Sequence, residues 1–178
     1  MADETNNGAT PETEAPAGGA QEGAPQEPPN LKIVAHFVRD LSFENVAAQE
    51  GTPLTGNPEI NVSVNLDAAG AGENRYSVAM KINAKATIGD STRFLVELDY
   101  VGIFEVTNIP QEHVHPFLFI ECPRQILPYA RRVVSDVTRD GGYPPLMLDN
   151  VDFAALYRAK LTELQAQQAA QGGTTADA

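Results

Sequence analysis

I-E-C-P-R-Q-I-L-P-Y-A-R-R-V-V-S-D-V-T-R-D-G-G-Y-P-P-L-M-L, from Ile120 to Leu148, is the stretch that decides the fold. Ile126, Tyr129, Ala130, Val133, Val134 and Val137 recur at helical spacing, while Arg124, Arg131, Arg132, Asp136 and Arg139 take the other side. Pro123 suits a first helical turn, where its missing N–H would have no partner anyway. Pro128 lies inside and predicts a kink, because it removes one backbone bond. Gly141-Gly142 followed by Pro144-Pro145 ends the helix. No other long stretch is convincingly amphipathic, and everything before it reads as sheet. A sheet with one apolar face needs this helix as its cover.

Working outward, Leu31–Glu44 alternates with Leu31, Ile33, Ala35, Phe37, Leu41 and Phe43 on one face. Arg39 interrupts that face and predicts a bulge or a strand end. Asn45–Asn57, with Gly51, Pro53 and Gly56, reads as a long connection. Glu59–Asp67 is a second strand, Ala68–Asn74 a glycine-rich turn, and Arg75–Ile88 a third strand. Gly89-Asp90 then turns the chain into a fourth strand over Thr92–Val106. These last strands form a meander, and the long first connection permits a Greek key with strand one returning beside strand four. Asn108–Phe119 reads as a short helical lead-in, and Asp149–Asp152 as a cap signal before a last helix, Phe153–Gln168. The expected class is therefore α+β: a four-stranded antiparallel sheet, a long helix and a C-terminal helix.

The 178 residues leave room for one domain plus tails. Residues 1–30 hold six acids and no bases in an Ala/Gly/Pro-rich context, so disorder is expected there. The folded domain is expected over 31–162, with a largely disordered tail over 163–178. A net charge of −12 favours solubility and argues against nucleic acid or anionic membrane as partners. A partner held electrostatically should be basic. The single Cys122 excludes an intramolecular disulfide and fits a reducing compartment. With no run of about 18 apolar residues and no basic-then-apolar leader, no membrane insertion is expected and a cytoplasmic location is.

Catalytic and metal motifs are weak. Glu112-His113-x-His115 near Glu121-Cys122 matches no specific zinc spacing, and Cys122 has an acidic neighbour that would not activate it. Neither a metal, a cofactor nor a catalytic residue is assigned. The carboxylates say more. Period two places Asp40 and Glu44 on the outward face of strand one, and Leu95, Glu97 and Asp99 on that of strand four. If the strands pair, they form one acidic patch with an apolar member: either a solvated face or a dock for a basic partner.

F-V-R-D-L-S-F-E (37–44), G-I-F-E-V (102–106), C-P-R-Q-I-L-P-Y-A-R (122–131) and G-G-Y-P-P-L-M-L-D-N-V-D-F-A-A-L-Y (141–157) resemble the SecB family of protein-export chaperones. The resemblance spans about Leu31 to Leu161. It implies no enzymatic activity, a homotetramer built as a dimer of dimers, and the holding of unfolded precursor proteins for delivery to the translocation motor SecA. It places Asp40, Glu44, Leu95 and Glu97 at SecA-contact positions. It implies an apolar client groove lined by Leu54, Ile60, Val62, Val64, Leu146, Met147, Leu148, Phe153, Leu156 and Tyr157, although such residues also suit a plain core. Promiscuous holding needs apolar area and adaptable side chains with few fixed polar groups. The connection Asn45–Asn57 lacks the aromatics common in the family. Two alternatives stand beside this reading: a SecB-like chaperone dedicated to one partner such as an antitoxin, and a small-ligand binding domain using Cys122 with His113 and His115.

Overall fold

The computed structural model describes residues 28–53 and 56–172, with side chains to 168. In chain order the elements are β1 (Asn30–Glu44), α1 (Val46–Gln49), β2 (Glu59–Gly72), β3 (Arg75–Ile88), β4 (Ser91–Thr107), α2 (Gln111–Asp140) and α3 (Phe153–Gly172). The four strands form one antiparallel sheet in the order β1-β4-β3-β2, so β1 does return beside β4. The acidic stretch before Pro28 and the end from 173 lie outside the described residues.

The core is the helix-facing side of β3 and β4. Val78, Met80, Ile82, Ala84 and Ala86 on β3, and Phe94, Val96, Leu98, Tyr100, Phe104 and Val106 on β4, are all buried. Alternation of period two supplies this face directly. At Gly102 the helix comes so close that a Cβ would stand 2.9 Å from Ile126 Cγ2. No larger residue fits there without movement.

Three local readings are corrected. The lead-in over Asn108–Phe119 and the helix opening at Pro123 are one continuous helix, with Pro116, Pro123 and Pro128 all inside it. Val114, Leu118, Cys122, Ile126, Ala130, Val134 and Thr138, four residues apart throughout, are buried along its length. Each interior proline costs about 3 kcal/mol, while each large apolar side chain buried returns about 1.5–3 kcal/mol. The unbroken stripe carries the helix through, and Pro123 is itself buried in it. The second correction concerns β2, which continues to Gly72 through the stretch read as a turn, leaving only Glu73-Asn74 to reverse the chain. The third concerns α3, which extends past the expected end at Gln168 to Gly172.

β1 carries two bulges, between Ile33 and Ala35 and between Val38 and Asp40. The second is the one expected at Arg39; the first was not. Each extra residue flips the side chains that follow to the other face. Ala35 and Phe37, expected on the helix side, therefore lie opposite Ile103 and Val101 on the outer face. His36 turns inward instead, its Nδ1 2.6 Å from the Tyr100 hydroxyl and its ring against Tyr129. The two flips cancel, so Leu41 and Phe43 return to the helix side as expected.

Candidate functional site

Two surfaces carry the candidate residues, one on each side of the sheet. On the helix side, α2 covers β3 and β4 but leaves β2 partly bare. Ile60 and Val62 are 38% and 45% exposed. Opposite them runs the irregular segment after α2, in which Met147 is the most open large apolar side chain among the described residues, at 65% exposed.

That segment is held by specific bonds rather than by regular structure. The Thr138 hydroxyl, fully buried, donates to the Val134 carbonyl at 2.9 Å and accepts the Leu146 N–H at 2.9 Å. Arg131 donates to the Asp149 carbonyl and to Asn150 Oδ1, each at 3.2 Å. The Tyr143 hydroxyl stands 3.0 Å from both Asn45 Oδ1 and the Arg93 carbonyl. Asp152 Oδ1 then caps α3 by accepting the Ala155 N–H at 2.9 Å.

The result is an open depression of about 370 Å³ lined by Ile60, Val62, Val64, Leu146, Met147, Leu148 and Val151 with Asp149 and Asn150 at its rim. A second depression, about 300 Å³, follows it along β2 and is lined by Val64, Leu66, Phe119, Leu156 and Tyr157, with Lys160 and Glu163 at the edge. Val64 lines both, so the two depressions adjoin along β2 and together are the candidate groove. Phe153 is fully buried and lines neither part; it is core beneath the groove. Leu54 lies outside the described residues. Phe119 and Leu66 were missed by the sequence reading. The signal for Phe119 is its spacing of four from His115, whose Nδ1 is 2.9 Å from the Tyr157 hydroxyl and whose ring lies tilted against Phe119 with centroids 4.7 Å apart.

On the outer face the register assembles the acidic group. Glu44 lies opposite Leu95, Ser42 opposite Glu97, and Asp40 opposite Asp99. Arg39, at the bulge, binds Asp99 at 2.6 Å and removes it from the patch electrostatically. Asp40, Glu44 and Glu97 remain exposed around the half-buried Leu95.

The alternative site does not assemble. Cys122 is fully buried, and burial, with the charge of Glu121 second, pushes its thiol up to about 12. A thiol so placed is protonated and a poor nucleophile at neutral pH. His113 and His115 are exposed, and among the described residues no three His, Cys, Asp or Glu side chains converge to hold a metal. Nor, among those residues, is any helix long and apolar enough to cross a membrane.

Comparisons with known proteins show the family. The family described as preprotein translocase subunit SecB matches residues 24–164. Protein-export protein SecB of Dinoroseobacter shibae is 53% identical over 96% of this chain and 96% of its own. That of Roseobacter denitrificans is 51% identical over 81% of this chain and 89% of its own. Among solved structures, a SecB-like chaperone of Mycobacterium tuberculosis in complex with an antitoxin peptide superposes with a TM-score of 0.54 at 12% identity, covering 68% of this chain and 87% of that one, which shows a shared fold. With half its residues shared with the bacterial relatives across nearly the full length, the chain belongs to the SecB family and is a non-enzymatic protein-export chaperone.

Proposed function

We propose that this chaperone holds unfolded precursor proteins in the groove along β2 and delivers them in the cytoplasm to SecA, which docks on the acidic outer face of β1 and β4. The observation that carries the reading is the pair of adjoining depressions. Ile60, Val62, Val64, Leu146, Met147, Leu148, Leu156 and Tyr157 line an open, mainly apolar surface whose polar members are Asn65, Asp149, Asn150, Lys160 and Glu163. Such a surface gains from burying any apolar segment, at about 25 cal/mol per Å², and imposes few hydrogen-bonding demands on its sequence. Phe153 takes no direct part. No residue of the chain is assigned to a metal or cofactor.

The working unit is a homotetramer, a dimer of dimers. Supporting this, the edge strand β1 leaves Val34, Phe37, Val38 and Leu41 between 41% and 46% exposed. An open edge with apolar side chains is a template for pairing with another chain. A second copy of this chain is the partner that buries it. Native mass measurement combined with an aggregation assay tests the whole reading. A tetramer that keeps an unfolded precursor soluble, and releases it on adding SecA, is expected. A stable monomer without holding activity would overturn it.

A further inference from the structure

Three neighbouring rows on the outer face of the sheet change charge from strand to strand. Beside β4, the next strand presents Lys81 opposite Asp99, Asn83 opposite Glu97 and Lys85 opposite Leu95. Beyond it, β2 presents Asn65, Ser63 and Asn61 in the same rows. All of these β2 and β3 residues are exposed. In these three rows, therefore, acids occupy β1 and β4, lysines and an amide β3, and neutral amides and a hydroxyl β2, with Glu59 and Asp67 flanking the rows on β2.

Opposite charges directly across a sheet ordinarily pair. Arg75 and Glu105, directly opposite one another, do so, and Arg39 binds Asp99; among the described residues Lys81 and Lys85 take part in no ion pair. Arg39 already holds Asp99, the carboxylate directly across from Lys81. Lys85 faces Leu95, which has no charge to offer, and shares with Leu95 and Glu97 a shallow depression bordered by Asn61, Ser63 and Asn83. The two ammonium groups thus remain available to act on whatever approaches the acidic strip.

We propose that Lys81 and Lys85 form a repulsive boundary that confines the basic partner to the β1–β4 half of the face. The proposal rests on the docking reading above and adds a specificity element to it. Strands lie about 4.8 Å apart, while the screening length at physiological salt is about 8 Å. A cation seated on Glu97 therefore feels both lysines. A narrow basic segment lying along Glu44, Glu97 and Asp40, with an apolar side chain on Leu95, escapes most of that repulsion. A broad or diffusely basic ligand does not. Discrimination between partners commonly comes from such an unfavourable contact built against the wrong one.

The test is calorimetric titration of the full chain with purified SecA and, separately, with a decalysine peptide, at low and high salt. Lys81→Gln with Lys85→Gln should bind SecA roughly three- to tenfold tighter at low salt, the scale of two exposed charges. Decalysine binding should tighten by a larger factor, so that discrimination falls, and both gains should shrink as salt rises. Unchanged or weaker SecA binding by this variant overturns the boundary; weaker binding would mean that the lysines pair with acids of the partner. Asp40→Lys with Glu97→Lys separates the two levels. If that reversal weakens SecA while the glutamine pair changes nothing, the dock stands and the boundary falls. If the reversal also changes nothing, the dock itself is misplaced and the boundary falls with it.

Discussion

On the helix side of the sheet, β2 lays Ile60 and Val62 open beside Met147; on the far side, β1 and β4 lay Asp40, Glu44 and Glu97 open around Leu95. The two surfaces share one sheet and differ in which physical force they offer. The groove offers apolar area that is insensitive to salt and to client sequence. The outer face offers charge, which steers, screens with salt and selects for sign. Because neighbouring residues of a strand point to opposite sides, Phe43 packs on the core while Asp40, Ser42 and Glu44 face outward. The two proposed functions should therefore be damaged separately, unless the layer between them is broken.

The largest effect should come from breaking that layer. Gly102→Val forces side-chain atoms into the space held by Ile126 and Phe104, at a cost of about 1–3 kcal/mol or more for overpacking. Thermal melting should fall clearly, and client holding and SecA binding should fall together. A normal melting temperature with only one activity lost would refute the shared-layer account.

Next, Leu156→Asp or Tyr157→Asp puts a charge against a desolvated apolar client, a costly contact. Precursor holding, measured by suppression of aggregation, should weaken about tenfold or more while SecA binding persists; a shift of 1.4 kcal/mol already gives that factor. Parallel loss of both activities in a correctly assembled protein would show that the groove is misplaced.

The reciprocal change, Asp40→Lys with Glu97→Lys, should weaken SecA binding several-fold to tenfold at low salt, each exposed pair contributing about 0–1 kcal/mol. Client holding and melting temperature should be unaffected. Leu95→Ala should lower SecA affinity less, with little change in the salt dependence, because it removes apolar contact and no charge. Calorimetry at two salt concentrations distinguishes the two variants.

The smallest effect concerns Cys122, which belongs to neither surface. Burial, with the charge of Glu121 second, pushes its folded thiol up to about 12 from an ordinary value near 9. Below pH 9 both folded and unfolded states keep the proton. As pH rises from about 9 towards 12 the unfolded thiol ionises first, so the stability tied to the buried thiol is lost across that window. Denaturation at pH 8 and pH 10.5 should show a smaller alkaline loss for Cys122→Ala than for the unsubstituted chain. Equal losses would mean that the thiol is not held protonated.

Strand existence, strand order and the acidic grouping were legible because each depends on local alternation and turn residues. Period two in β2, β3 and β4 fixes their faces, and Arg39 in an otherwise apolar row marks a real bulge. The acidic set emerged from the same alternation: Glu44 and Leu95 do stand opposite one another. The residue types carried the family as well, through segments such as C-P-R-Q-I-L-P-Y-A-R. What only tertiary structure decided lies where packing overrides local rules. Three prolines argue against a helix from Gln111 to Asp140, yet the buried stripe outweighs them. The bulge near Ile33 has no sequence mark, and it alone sends Phe37 outward and His36 inward. Phe153 and Leu156 look equivalent as apolar residues of α3, but one is core and the other groove wall. Sequence determined which side chains are apolar or charged and how they alternate; how far the covering helix reaches across the sheet determined which apolar ones stay open to a client.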